Sequence, residues 1–404
     1  MTIDFKAISE QTGSPSYIFS EKLFRERAEK VKAAFGPDVD ICYSIKAGSF
    51  LLSILPEVFA KIEVCSPGEL EICKALHMDP AKIIFSGVNK SREDIDEAIR
   101  YGSAVLTAES RNHVRDINAS ALTHGIVAEV LLRLTGGSQF GMDAEEVLAI
   151  IRERDQYPGI HIRGIHYFTG TQKRKAKPIL KELATLEAFL GRIEEETGYA
   201  VTDAEYGTGL AVDYFAGSMD EAEALEMERL ASVSDAIRAL GQKVHVTIEM
   251  GRFFAAPCGF YVTQVVDTKT CEGIRYAIVD GGLHQLKYDG QLQGMQVPVI
   301  YHLKADGSPA PACTDGEPEQ WTLCGSLCTT ADVLARNAVL PGLTEGDYLV
   351  FTRTGAYSVM EGMAVFLSRD MPKVYILRED GTLALQRSRI DTWTMNLPES
   401  MRPE

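Results

Sequence analysis

The feature that most constrains the fold is a regular alternation between residues 40 and 251. Short, apolar, β-rich runs are separated there by segments with helical periodicity. This pattern predicts repeated βα units around a parallel sheet. Eight such units in about 210 residues predict a (β/α)8 barrel, whose active site would lie at the C-terminal ends of the strands. The predicted strands are 40–47, 61–66, 82–87, 104–109, 128–134, 162–168, 202–207 and 245–251.

The pattern changes after residue 252, where strand-like runs follow one another without intervening helices. These runs are 259–267, 274–280, 297–304, 320–324, 347–352, 373–378 and 382–387. They predict a C-terminal all-β barrel domain. We therefore expect an N-terminal segment, 1–30, that packs with the β domain, a (β/α)8 barrel over 31–257, and the β domain over 258–404.

Charge and composition limit the possible partners and the location. The 404 residues carry a net charge of -16 with a pI near 5.1, so phosphate-rich partners such as nucleic acids and anionic membranes are disfavoured. The N-terminus lacks a basic stretch followed by an apolar one, and no window is apolar enough for a membrane span. We expect a cytoplasmic protein. Its cysteines show neither CxxC pairs nor metal-ligand spacing, which predicts free thiols and no metal site; they are residues 42, 65, 73, 258, 271, 313, 324 and 328.

Several predicted strand ends carry groups that can take part in cofactor chemistry: Lys46, Glu63, Ser66, Arg133, His166, Glu249 and Arg252. The seventh strand ends in Gly207-Thr208-Gly209. Glycines in βα turns often serve only the backbone geometry. Because phosphates commonly bind after the seventh and eighth strands of such barrels, this stretch beside Gly251-Arg252 is a candidate phosphate site.

Eight motifs occur in an order that resembles one enzyme family. They are Tyr43-Ser44-Ile45-Lys46-Ala47, Glu63-Val64-Cys65-Ser66-Pro67-Gly68-Glu69-Leu70, Gln139-Phe140-Gly141-Met142, Gly164-Ile165-His166-Tyr167-Phe168-Thr169-Gly170-Thr171-Gln172, Gly207-Thr208-Gly209, Glu249-Met250-Gly251-Arg252, Cys324-Gly325-Ser326-Leu327-Cys328 and Gly355-Ala356-Tyr357. Over residues 15 to 378 they are similar to the diaminopimelate and ornithine decarboxylases. These are pyridoxal-phosphate enzymes with an alanine-racemase-like fold.

The resemblance implies a role for each matching residue. Lys46 would hold the aldehyde carbon of pyridoxal 5'-phosphate through its amine, and Glu249 would face the pyridine nitrogen. Glu63, Arg133 and Phe168 would complete the cofactor site. The phosphate would be bound by Thr171, Gly207, Thr208, Gly209, Gly251, Arg252 and Tyr357.

The resemblance also implies a homodimer with shared active sites. In this family the cysteine that matches Cys328 comes from the partner subunit and returns a proton to the α-carbon after decarboxylation. Taken without the family, a cysteine in an apolar stretch is usually a small core residue. Lys46 and Cys328 are therefore the two predicted catalytic residues.

The chain departs from the family pattern where the ring and the far end of the substrate are recognised. Phe168 replaces the histidine that usually stacks on the cofactor ring. We interpret His166 as a core residue whose ring nitrogens are hydrogen-bonded and that has no catalytic role. Thr329 replaces an acid that holds a distal ammonium, although Asp332 is near enough in sequence to substitute. The stretch 296–300 lacks the arginine that, in diaminopimelate decarboxylases, binds the second carboxylate of the substrate. The predicted substrate-binding residues are Tyr288, Thr329 and Asp332.

These variants look more like the branch that includes the decarboxylase of butirosin biosynthesis, which acts on a glutamyl group tethered to a carrier protein. We predict a pyridoxal-phosphate-dependent α-decarboxylase acting on an amino acid or a carrier-linked amino-acyl group. Diaminopimelate is the alternative substrate. An amino-acid racemase on the same fold and a non-catalytic relative that retains the fold are further alternatives.

Overall fold

The structure is a computed structural model that describes residues 5–311 and 318–402. The chain forms two compact units. The barrel unit comprises Arg25–Val212 and Leu225–Phe254, and the β unit combines the segment up to Phe24 with Asp213–Ala224 and the chain from Ala255 onward. Within the described ranges, none of the helices has the length and apolar character needed to cross a membrane.

The chain begins with α1 (Phe5–Thr12), β1 (Ser16–Ser20) and α2 (Glu21–Phe35). Eight strands follow, each overlapping a predicted one: β2 (Val39–Ser44), β3 (Phe59–Val64), β4 (Ile83–Phe85), β5 (Val105–Ala108), β6 (Ala128–Leu134), β7 (Ile160–Phe168), β8 (Asp203–Gly207) and β9 (His245–Met250). They pair in parallel and close into a barrel, because β2 pairs with both β3 and β9. The predicted (β/α)8 barrel is confirmed.

Helices connect the strands: α3 (Pro67–Ala75), α4 (Arg92–Tyr101), α5 (Arg111–Thr123), α6 (Ala144–Arg152), α7 (Ala176–Thr197) and α8 (Met219–Gly241). Local sequence explains their limits, as α4 shows. Ser91 and Asp94 form a reciprocal capping box at its start, and Gly102 ends it with a left-handed φ of 87°. Gly164 allows β7 to approach β8, since a Cβ there would lie 1.7 Å from the Asp203 carbonyl oxygen.

The β unit begins, after the short helix α9 (Arg252–Ala255), with a long strand that organises it. The strands are β10 (Gly259–Cys271), β11 (Ile274–Val279), β12 (Ile300–Leu303), β13 (Gln320–Cys324), β14 (Val333–Val339), β15 (Tyr348–Thr352), β16 (Lys373–Leu377) and β17 (Leu383–Arg387). With β1 they form one nine-stranded sheet, in which β10 pairs with β1, β11 and β15. The predicted C-terminal all-β barrel domain is confirmed as a separate, mostly stranded sheet, in which the pairings among the described residues do not close into a ring.

Apolar side chains fill the interior of each unit. The barrel interior includes a cluster of Cys42, Ile84, Val105 and Leu131. A cluster in the β unit joins α1, β1 and the sheet; it comprises Ile8, Ile18, Phe260, Val262, Leu303, Val350 and Leu377. The seven described cysteines are free thiols, and Cys313 lies outside the described residues.

Candidate active site

Lys46 lies at the C-terminal end of β2, in a single 3-10 turn over Ile45–Ala47. Its Nζ is 2.6 Å from Oε2 of Glu63 and 3.4 Å from Oε1 of Glu249. The lysine side chain is 37% exposed, whereas the two carboxylates are almost completely buried. The barrel therefore places an accessible amine against two buried acids, Glu63 and Glu249, which the sequence analysis named as cofactor-site residues.

The turn that carries Lys46 packs tightly against the end of β9. A Cβ on Gly251 would lie 2.8 Å from the Cβ of Ala47 and 2.9 Å from the carbonyl oxygen of Ser44. Only glycine fits at this distance. On the other side of the turn, the Tyr43 hydroxyl donates a 2.8 Å hydrogen bond to the carbonyl of Gly48. Both contacts fix the backbone from which Lys46 projects.

Glu249 accepts hydrogen bonds from two further side chains. The Ser44 hydroxyl donates to Oε1 at 2.9 Å, and Nε2 of His166 is 3.0 Å from Oε2. Burial would raise the pKa of Glu249, but Lys46 and His166 outweigh it and hold that pKa well below its usual range. Glu249 is thus an anion at neutral pH, and His166, interpreted from sequence as a core residue, contacts it directly.

The ends of β7 and β8 form a cradle with little side-chain bulk. Gly209 has a φ of 61°, and a Cβ there would lie 2.0 Å from the carbonyl oxygen of Gly170. Its own carbonyl accepts a 2.8 Å hydrogen bond from the Lys173 backbone N–H. Thr208 is fully buried beside it, whereas Thr171 is exposed. A cradle of bare backbone with adjacent hydroxyls suits a phosphate group.

Phe168 lies half-buried at the end of β7, beside this cradle. A Cβ on Gly207 would lie 2.5 Å from Cδ2 of the Phe168 ring, so the ring packs directly on the backbone of β8. Lys173 Nζ lies 5.9 Å from the ring centroid. Phe168 is the register partner of Gly207, which is in turn the partner of Glu249. The aromatic ring and the carboxylate therefore flank a position that has no side chain.

Arg133 is held in place by Glu109, which the sequence analysis did not indicate, and by a residue of the motif over 139–142. Its guanidinium forms a buried ion pair with Glu109 and lies 4.8 Å over the ring of Phe140. The other carboxylate oxygen of Glu109 accepts a 2.9 Å hydrogen bond from the Gly141 N–H. Arg133 is thus a rigid cation at the end of β6, and its role toward the cofactor stays a prediction.

Three predicted residues of the β unit differ in exposure from one another. Cys328 and Thr329 are both exposed on the turn after β13. Asp332 is 2% exposed, and its carboxylate accepts hydrogen bonds from the backbone N–H groups of Leu283 at 2.7 Å and Leu327 at 2.8 Å. The structure therefore uses Asp332 to join two loops, and its role in substrate binding stays a prediction.

The two predicted tyrosines of the β unit also have structural contacts. Tyr288 is 3% exposed and donates a 2.7 Å hydrogen bond to the carbonyl of Thr352. Tyr357 has a φ of 67°, which is uncommon for a residue with a side chain, and it is partly exposed. Such strained positions cluster at functional sites.

Sequence reasoning missed two further groups in the barrel interior. Cys65 Sγ lies 3.4 Å from Lys46 Nζ, and burial raises the pKa of this thiol well above its ordinary value. Glu205 on β8 is 1% exposed, and burial followed by repulsion from Glu249 raises its pKa strongly. Alternation along β8 could have indicated Glu205, because it lies two residues before Gly207 and shares its face of the sheet.

The residues present fit pyridoxal phosphate: an accessible amine beside acids, an ionised carboxylate and a glycine cradle. Residues 21–256, more than half of the chain, match the family model of the pyridoxal binding domain of pyridoxal-dependent decarboxylases. The chain belongs to this family. It is a pyridoxal-phosphate-dependent decarboxylase, and the predicted enzyme class and cofactor are confirmed.

Similarity to individual decarboxylases extends over nearly the whole chain. The diaminopimelate decarboxylase of Pseudomonas aeruginosa is 29% identical, with 87% of this chain and 84% of that protein covered. The L-glutamyl-(BtrI acyl-carrier protein) decarboxylase of Niallia circulans is 26% identical, with 96% and 94% covered. The crystal structure of diaminopimelate decarboxylase from M. jannaschii with L-lysine shares the fold, with a TM-score of 0.84, 21% identity, and 99% and 95% covered.

Proposed function

We propose that this decarboxylase removes the α-carboxyl group of an amino-acyl substrate that has no cation at its far end, such as a glutamyl group linked to a carrier protein. The observation that carries the catalytic part is Lys46 Nζ, 2.6 Å from Glu63 and 3.4 Å from the ionised Glu249. This arrangement suits an amine that holds the cofactor and a carboxylate that faces its ring nitrogen.

Each residue has a defined task in the proposed reaction. Lys46 would hold the cofactor through its amine until the substrate's amino group takes that place. When bound, the cofactor would supply a conjugated ring that accepts the electron pair left on the α-carbon when CO2 departs. Glu249 would keep the ring nitrogen protonated. Cys328 of the partner subunit would give its thiol proton to the α-carbon and regain a proton from solvent. Lys46 would hold the cofactor again once the amine product leaves.

Contacts of the β unit support the choice of substrate. Thr329 offers only a neutral hydroxyl where the family usually has an acid, and a hydroxyl recognises an ammonium weakly. Asp332 is a poor replacement because its carboxylate already accepts the backbone N–H groups of Leu283 and Leu327. Residues 296–300 contain no arginine for a second carboxylate. The similarity to the carrier-protein decarboxylase of Niallia circulans also supports the proposal.

Diaminopimelate is the second candidate, favoured by the 29% identity to the Pseudomonas aeruginosa enzyme. The two proposals separate in an assay of CO2 release. The panel contains free diaminopimelate, ornithine, lysine, arginine and glutamate, and glutamate bound as a thioester to a carrier protein. We expect release only from the thioester. Release from free diaminopimelate at a comparable rate would establish the second candidate. Inversion of a chiral amino acid without CO2 would instead indicate a racemase.

We also propose that the active enzyme is a cytoplasmic homodimer with shared sites. The exposed Cys328 supports this, because a thiol on the surface can reach a neighbouring subunit. Lys46→Ala and Cys328→Ala chains, each of low activity, should regain activity on mixing, since hybrid dimers contain one intact site. If mass spectrometry confirms hybrids and no activity returns, Cys328 acts within its own subunit or not at all.

A further inference from the structure

A second level of polar side chains lies below Glu249 inside the barrel. His166 on β7, Glu205 on β8 and Thr247 on β9 are register partners in adjacent parallel strands, so their side chains share one face of the sheet. This row is two residues closer to the N-terminal ends than the row of Phe168 and Glu249. The proposed reaction gives Glu205 no task.

Glu205 is unusual because it is a buried acid without a donor. Neither of its carboxyl oxygens has a hydrogen-bond partner in the part of the chain that the structure describes, and the residue is 1% exposed. Nδ1 of His166 is likewise buried without a partner there, while its Nε2 is 3.0 Å from Glu249. An ionised carboxylate in such surroundings would lose its hydration without compensation.

The charges around Glu205 cannot all be balanced. The groups that act on it are the carboxyls of Glu63 and Glu249 and the cations of Lys46 and Arg133. Arg133 forms an ion pair with Glu109, and Lys46 contacts Glu63 and Glu249. The Cys42 thiol, whose pKa burial raises, also interacts with Glu205. A third anion would therefore meet two others, with no cation left for it among the described residues.

We propose that Glu205 carries a proton and that His166 donates its Nε2 hydrogen to Glu249, so that these two positioning residues keep Glu249 ionised for the cofactor's ring nitrogen. The inference rests on the proposed function in one respect, the task of Glu249. Burial first, and then Glu249 and Glu63, raise the pKa of Glu205, which agrees with the proposal. Because Lys46 would be committed to the cofactor in the loaded enzyme, His166 on Oε2 and Ser44 on Oε1 are the donors that stay with Glu249.

The protonation of Glu205 can be measured directly, without substrate. Infrared difference spectra of the loaded enzyme at pH 7, wild type minus Glu205→Gln, should show a protonated carboxyl C=O band. The control Glu195→Gln, on an exposed position of α7, should instead remove ionised carboxylate bands. A Glu205→Gln difference that contains only ionised bands overturns the proposal. If that variant does not fold, the wild type alone decides, since its protonated band must persist from pH 7 to pH 9.

The His166 part of the proposal has its own readout. His166→Leu removes the donor, whereas His166→Gln can place an amide N–H near the position of Nε2. We expect the cofactor to bind at least about tenfold more weakly in the leucine variant, since a hydrogen bond to a charged group is lost. The glutamine variant should recover to within about threefold. The nitrogen resonance of 15N-labelled cofactor should shift toward the unprotonated form only in the leucine variant.

An unchanged dissociation constant and an unchanged nitrogen resonance in His166→Leu would overturn the positioning role. Neither measurement uses turnover. A failure of the proposed substrate therefore leaves them unaffected, and their failure leaves decarboxylation unaffected.

Discussion

Replacing Gly207 by alanine tests whether Phe168 is fixed beside the cofactor site. The new methyl carbon would lie 2.5 Å from Cδ2 of the phenyl ring, 3.1 Å from Cγ and 3.2 Å from Cβ. Carbon atoms in contact are normally about 3.5–4.0 Å apart. The ring must therefore move by about 1 Å, because the strands on both sides of Gly207 belong to a closed barrel and resist displacement.

The expected cost follows from this overlap. Forcing one extra methyl group into a packed site costs about 1–3 kcal/mol. If this whole packing penalty destabilises only the cofactor-bound protein, the dissociation constant of the cofactor rises about 5- to 150-fold. If part of it falls on the free protein, the melting temperature drops as well. Fluorescence titration with pyridoxal phosphate and thermal melting of the free protein separate the two contributions.

Two matched variants make this test specific. Gly191→Ala lies in α7, where a Cβ would meet no atom within 4 Å, so it should bind the cofactor normally and be slightly more stable. Phe168→Ala in the Gly207→Ala background should remove the clash and restore stability. Normal melting and normal cofactor affinity of Gly207→Ala alone would refute the tight packing of Phe168 on β8.

Two further predictions concern the stability of the barrel unit. Hydrogen bonds to Asp203 and to Asp40 raise the pKa of His245 to about 9, above its unfolded value near 6.5. The stabilisation that protonated His245 gives the folded state is therefore complete below pH 6.5 and lost as the pH rises through 9. The urea midpoints of unfolding of the wild type and of His245→Asn should differ at pH 6 and converge above pH 9.5. A difference that stays constant with pH would contradict this. Glu226→Ala should lower the free energy of unfolding in urea by about 3–5 kcal/mol, because it breaks a buried ion pair with Arg27. The control Asp116→Ala removes the partner of an exposed arginine and should lower that free energy by less than about 1 kcal/mol. Equal losses in the two variants would contradict the reasoning.

The sequence was informative where local patterns decide structure. Each barrel strand is an apolar run between helical segments, so all eight were predictable. The strand β14 was missed because Val333–Val339 contains Ala-Arg-Asn and pairs with irregular register. The strand β1 lies between two helices far from the rest of its sheet, so its pairing with β10 and β16 depends on tertiary structure.

The site was predictable only where motifs mark it. Lys46 ends a recognisable strand, and the structure places it against Glu63 and Glu249. The contact between His166 and Glu249 spans 83 residues and passes over β8 at the level of Gly207, so only closure of the barrel reveals it. Burial of Glu205 without a donor among the residues that the structure describes is likewise a property of the packed interior that no local pattern records.

The most direct test of the central claim is to find the lysine that holds the cofactor. Borohydride treatment of the loaded enzyme fixes pyridoxal phosphate to its lysine, and peptide mass spectrometry then locates the added mass. We predict the mass on the peptide that contains Lys46, and none in Lys46→Ala. Attachment to another lysine, such as the buried Lys90, or no attachment to the wild type, would contradict the assignment of the active site to the end of β2.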